Sequence, residues 1–236
     1  MNTSFSQSIL RAVERGRLPL AADIKPVSPR DGDLFSGKDP VILARILDEA
    51  GVCALSVVTE TAHFGGSLDL MARVAGAVDL PVLRKDFISS FQQIEETVEA
   101  GAAAVLLTLS TIPEEKVENL YRKAVEVGLE PLAEVHTLPQ LRLAITFSPR
   151  PTIIGINNRD ITALEKDDGD VQVTEKLAPF VPDGIAILSE SAMLTSDDVR
   201  RALGAGSHAV LVGTTILKSP DPGACARELA GFAVGR

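Results

Sequence analysis

Apolar residues in this chain come in short dense runs, and each run ends on polar side chains. There are eight: LAADIK (20–25), ALSVVT (54–59), VLRKDF (82–87), AVLLTL (104–109), PLAEV (131–135), IIGINN (153–158), AILSES (186–191) and AVLVGT (209–214). They are nearly continuous rather than alternating, the pattern of strands covered on both faces. Between them the period changes to that of helices. DPVILARILDEAG (39–51) opens with Asp-Pro, stops at Gly and sets Ile42, Ile46 and Leu47 on one face, which predicts a helix with both end signals in place. FQQIEETVEAGA, PEEKVENLYRKAVEVG and TSDDVRRALGAG repeat the pattern. Ahead of the first run, SFSQSILRAVERGRLPL spaces Phe5, Ile9, Leu10 and Val13 as a short amphipathic helix does.

Strands that alternate with helices predict a parallel sheet. Eight such units in 236 residues, with no glycine-rich dinucleotide fingerprint after the first strand, predict an α/β chain. The expected architecture is a single (β/α)8 TIM barrel spanning 1–236, preceded by the short N-terminal helix. EKDDGD (165–170) predicts an exposed loop.

In such a barrel the C-terminal ends of the strands form the active-site mouth. Polar residues recur at those ends: Asp23 and Lys25, Lys85 and Asp86, Glu134, Asn157 and Arg159, Glu190 and Ser191. Each has a structural alternative. Lys25 and Lys85 could pair with Asp23 and Asp86, Glu134 could cap the next helix, and Arg159-Asp160 could be a surface pair. As an ordered set they predict one shared site, because unpaired charge beside a dry core is costly. Asp86 is the member assigned to structure.

Composition narrows the classes. The longest apolar stretches are about six to eight residues, against the ~20 of a membrane span, and the N-terminal segment lacks the apolar core of a secretion signal. Cys53 and Cys225 lie far apart and three histidines are scattered, so no metal or redox motif is expected and a reducing cytoplasm is. A net charge of −9, with one tyrosine and no tryptophan, argues against a nucleic-acid partner. An anionic ligand must then be small and locally received.

DIKPVSP, LSVVTETAHFGGS, VLRKDFI, LAEVHT, IGINNRD, SES and LVGTTILKSP, in this order from about residue 20 to about residue 219, resemble indole-3-glycerol phosphate synthase. The resemblance implies a lyase of tryptophan biosynthesis that needs no metal or cofactor. Its substrate would be a ribulose phosphate carrying anthranilate, cyclised with loss of carbon dioxide and water. It implies Lys85 as the general acid of ring closure, Glu134 as the proton carrier of dehydration, and Lys25 as the contact of the substrate carboxylate. Asn157, Arg159, Glu190 and Asp23 would hold the substrate and the catalytic charges. Ser28, Ser191, Ala192, Gly213 and Thr214 would receive the phosphate, and Pro29, Phe64, Phe87 and Leu106 the aromatic ring. A glycine at the end of the eighth run suits that role, since it lets backbone approach an anion.

Three departures from the family pattern stand out. It has glutamate where this chain has Asp23, glycine where it has Ala192, and a longer segment before the first strand. None removes an assigned acid or base. Two other functions compete: an aldolase using a barrel lysine as a Schiff base, and a non-catalytic phosphate-binding barrel. A monomer or weak homodimer with a small phosphorylated substrate, and neither nucleic acid nor membrane, is the expected assembly.

Overall fold

The computed structural model describes residues 4–159 and 169–234. Eight parallel strands close a barrel: β1 (Leu18–Ile24), β2 (Val52–Val58), β3 (Val82–Lys85), β4 (Ala104–Thr108), β5 (Glu130–Val135), β6 (Ile153–Asn157), β7 (Ala186–Glu190) and β8 (Ala209–Val212). Each pairs with the next, and β8 pairs with β1. The eight apolar runs are these strands, with β1 and β2 starting two residues earlier than their runs. Helices α2 (Pro40–Ala50), α3 (Leu68–Ala75), α4 (Phe91–Glu99), α5 (Glu114–Glu126), α6 (Leu138–Ala144), α7 (Gln172–Leu177) and α8 (Ser196–Gly204) follow the first seven strands in turn.

Side chains alternate along each strand, and this parity builds the site. Ala21, Ala54, Leu83, Leu106, Leu132, Leu188 and Leu211 form one apolar cluster in the barrel. Two residues further along the same strands come Asp23, Ser56, Lys85, Thr108, Glu134, Glu190 and Gly213. Asn157 joins them two residues after Gly155. The mouth is therefore the polar continuation of the core.

The opposite end is sealed by α1 (Phe5–Leu10), whose Phe5 and Ile9 are buried in the same cluster as the barrel leucines. The Ser6 amide donates to Glu130 Oε2 at 2.9 Å, and the Ser8 hydroxyl donates to the Cys53 carbonyl. The expected apolar face is shorter than its spacing implied. The α-helix stops at Leu10, and Val13 is 45% exposed.

Asp39 caps α2 by accepting from the amides of Val41 and Ile42, and Gly51 ends it at φ +93°, a conformation that favours glycine. The buried stripe of α2 is Leu43, Ala44, Leu47 and Ala50. Ile42, expected on the packed face, is 59% exposed, because one residue's 100° turn carries it off the stripe. A hairpin of Val27–Ser28 against Gly32–Asp33 follows β1 and had no strand signal. Most of the EKDDGD segment, residues 165–168, lies outside the described residues. Among the described residues, no helix is long and apolar enough to cross a membrane.

Candidate active site

Lys85 ends β3 and points into the mouth, so its neighbours Arg84 and Asp86 point the other way. The pairing of Lys85 with Asp86 considered from the sequence is therefore replaced. Asp86 Oδ2 is 2.8 Å from Arg84 Nη2 and accepts from Thr59 Oγ1 at 2.6 Å. Arg84 also donates to Thr59 Oγ1, the Gln93 carbonyl and Thr97 Oγ1, at 2.9, 2.7 and 3.0 Å. This buried network ties the end of β2, the end of β3 and α4 together behind the lysine.

Inside the mouth, Lys85 Nζ stands 3.5 Å from Glu190 Oε2 and 3.7 Å from Glu134 Oε2. Both carboxylates are fully buried. Glu134 is no helix cap, since Thr137 caps α6. Its Oε2 accepts from Asn157 Nδ2 at 3.0 Å, and Asn157 Oδ1 accepts from the Arg159 amide at 3.0 Å. Burial first, and then the nearby Glu134 charge, push the Glu190 carboxyl up from 4.5 to about 8. Glycine at 155 makes room for it, because a methyl group there would collide with Glu190 Oε1 and Leu132.

Asp23 and Lys25 share one face of the first strand and are 6% and 3% exposed. Lys25 Nζ lies 5.6 Å from the centre of the Phe64 ring, within cation–π reach. Gly213 packs so close to Asp23 that a Cβ there would be 3.1 Å from Asp23 Cβ. Beside them opens a cleft bounded by Asp23, Lys25, Lys85, Arg159 and the turns after β7 and β8. Ser191 and Ala192, in the first of those turns, have φ of +67° and +60°. Ala192 thus holds a left-handed conformation that costs a residue with a Cβ roughly 1–2 kcal/mol. Thr215 Oγ1 donates to the Met193 carbonyl at 2.9 Å and joins the two turns. Gly213 precedes the four-residue helix α9 (Thr214–Leu217), with Thr214 as its first residue.

Other expected contacts lie around this centre. Ser28 is buried, and its hydroxyl accepts from the amides of Arg30 and Asp31 in its own turn, at 3.3 Å each. Phe64 and Phe87 are half-buried and Pro29 is exposed. Leu106 sits one layer lower, in the apolar cluster below Thr108. Asp160, the possible surface partner of Arg159, is outside the described residues. Arg84 and Thr59 were missed, as was His136, which was quoted in LAEVHT but given no role. Strand parity around Lys85 and Glu134 carried the signal for Arg84 and His136.

A lysine ammonium between two buried carboxylates, with an asparagine fixing one of them, can deliver and remove protons on a bound ligand without a metal. Comparison with known proteins gives the family. The family model for indole-3-glycerol phosphate synthase matches residues 1–229. The chain belongs to the indole-3-glycerol phosphate synthase family. It is 45% identical to the indole-3-glycerol phosphate synthase of Pyrococcus furiosus over 90% of this chain and 92% of that one. The corresponding protein of Thermococcus kodakarensis is 43% identical over 89% and 91%, and that of Halalkalibacterium halodurans 42% over 87% and 78%. Among solved structures, a thiamine phosphate pyrophosphorylase from Pyrococcus furiosus superposes with a TM-score of 0.67 at 16% identity, covering 94% of this chain and 97% of that one. A mutant tryptophan synthase alpha-subunit from the same organism reaches 0.69 at 11%, covering 91% and 97%. At that identity the two structures bear on the fold alone.

Proposed function

We infer that this chain is an indole-3-glycerol phosphate synthase, a carboxy-lyase of tryptophan biosynthesis. Its reaction converts 1-(2-carboxyphenylamino)-1-deoxyribulose 5-phosphate to indole-3-glycerol phosphate, carbon dioxide and water. Family membership supplies the reaction class, and the observation that supports the division of labour is Lys85 held 3.5 and 3.7 Å from two fully buried carboxylates.

In this reading the ring carbon bearing the carboxylate attacks the sugar ketone, and the Lys85 ammonium gives its proton to the ketone oxygen. Carbon dioxide leaves and its bonding electrons restore the aromatic ring. Once a proton from solution has recharged Lys85 to the ammonium, Glu134 removes a proton from the carbon beside the nitrogen while the new hydroxyl departs as water, protonated by Lys85. Glu190 and Asn157 hold this pair in register. Arg159 and Lys25 receive the substrate carboxylate and Asp23 supports Lys25. The Arg159 Nε has no hydrogen-bond partner among the described residues, which suits a group that binds an incoming anion.

The phosphate is assigned to Ser28, Ser191, Ala192 and the backbone of Gly213 and Thr214. The aromatic ring is assigned to Phe64, Phe87 and Pro29, with Leu106 below. A cytoplasmic location, suited to the free cysteines Cys53 and Cys225, and a monomer or weak homodimer complete the proposal.

The test is incubation of the purified chain with the carboxyphenylamino ribulose phosphate. Equal yields of indole product and carbon dioxide support the reading. A retro-aldol product trapped on a lysine by borohydride would favour the aldolase instead. Phosphate binding without turnover would leave a non-catalytic barrel.

A further inference from the structure

Two buried polar atoms in the mouth face each other without a hydrogen-bond partner among the described residues: Glu134 Oε1 and His136 Nε2. They are 3.9 Å apart. Residues 134 and 136 lie two positions apart at the end of β5, so alternation turns both side chains the same way. An unpaired buried polar atom costs roughly 1–3 kcal/mol, so two of them face to face call for a reason.

The remaining atoms of the two side chains continue the line in both directions. Glu134 Oε2 faces Lys85 Nζ at 3.7 Å. His136 Nδ1 lies 3.3 Å from Ser110 Oγ, and Ser110 is exposed beyond the end of β4. A path therefore runs from water through Ser110 and His136 to a carboxylate that has no exposure of its own.

The stoichiometry of the proposed reaction needs such a path. The substrate carboxylate leaves as neutral carbon dioxide, so each turnover consumes one proton from solution. Lys85 gives two protons and Glu134 takes one, which leaves the pair one short. Lys85 opens into the cleft that the substrate fills. We propose that His136 carries the missing proton from water beside Ser110 to Glu134. The Nε2–H bond breaks and an O–H bond forms at Glu134 Oε1, while Nδ1 takes a proton from water. Glu134 then hands a proton to the neutral Lys85 amine. The imidazole ends neutral with its hydrogen on Nδ1 and returns to the starting tautomer by exchange with water. Imidazole is the side chain suited to this, since it gains and loses protons near neutral pH. The 3.9 Å gap exceeds a hydrogen bond, and catalytic hydrogen bonds are commonly long before substrate binds. His136 acts through Glu134 and is a relay, not a group that touches the substrate.

This inference rests on the synthase reading, and its test separates the two. Full-length His136→Ala and His136→Gln are assayed for indole formation in water and in deuterium oxide, with and without added imidazole. Turnover should fall about tenfold, below the 10²–10⁴ of losing an acid or base outright, with little change in KM. The solvent isotope effect on kcat should exceed that of the wild type, and imidazole should restore His136→Ala in proportion to its concentration. His136→Gln keeps the bulk of the side chain and carries the kinetic and isotope tests if the alanine variant fails to fold. Unchanged turnover overturns the relay. So does a fall indifferent to imidazole and deuterium, or a raised KM at constant kcat, which would make His136 a packing or substrate contact. A wild-type chain that forms no indole product overturns the functional reading itself.

Discussion

Lys85 Nζ lies 3.7 Å from Glu134 Oε2, which places the proposed acid of ring closure beside the proposed base of dehydration. Their closeness lets one small site run two successive proton transfers without moving the substrate between pockets. It also predicts different consequences for removing charge and removing shape. Glu134→Gln keeps an acceptor for Asn157 Nδ2 but cannot carry a proton. Its kcat should fall on the order of 10²–10⁴ while KM stays within a few-fold. Steady-state kinetics on the folded variant checks this, and a fall in affinity alone would move the base elsewhere.

Glu190 gives a pH signature. Its carboxyl ionises near 4.5 when ordinary and near 8 in the fold, because it is buried and faces another carboxylate. Between those values the folded chain keeps a proton that the unfolded chain has released, so this group's contribution to stability falls as pH rises through the window. Thermal melts of the wild type and Glu190→Gln from pH 4.5 to pH 8 should diverge in slope, with the glutamine variant flatter. Parallel curves would mean that Glu190 is ionised throughout.

Asp86 and Arg84 are expected to act on stability before chemistry. Removing one member of this largely buried pair strips its short ion pair from the other, with Glu96 Oε2 left 3.9 Å from Arg84 Nη1, and unmade hydrogen bonds of this kind cost about 1–3 kcal/mol. Asp86→Ala should therefore lower the urea midpoint markedly, and Arg84→Met should do the same by freeing Asp86 and Thr59. If either variant keeps wild-type stability and loses turnover alone, the network serves Lys85 directly and not the strand ends.

Much of this architecture was legible because burial on both faces forces apolar runs, and because a charge at the end of such a run has few places to go. Glu134 and Glu190 stood out for that reason. The Arg84–Asp86 pair did not, since a lysine beside an aspartate reads as an ion pair until strand parity is applied to each residue. His136 was hidden in the same way by the more conspicuous glutamate two positions earlier. The hairpin at Val27–Ser28 and Gly32–Asp33 is too short for any period, and Ile42 shows that a helix's apolar residues need not all lie on its packed face.

Lys85 is the group proposed to deliver the proton that closes the indole ring. The most direct measurement compares wild type with Lys85→Ala by indole formation from the carboxyphenylamino ribulose phosphate, after circular dichroism has shown both to be folded. The expected loss in kcat is on the order of 10²–10⁴. Near-wild-type turnover by the folded alanine variant would contradict it.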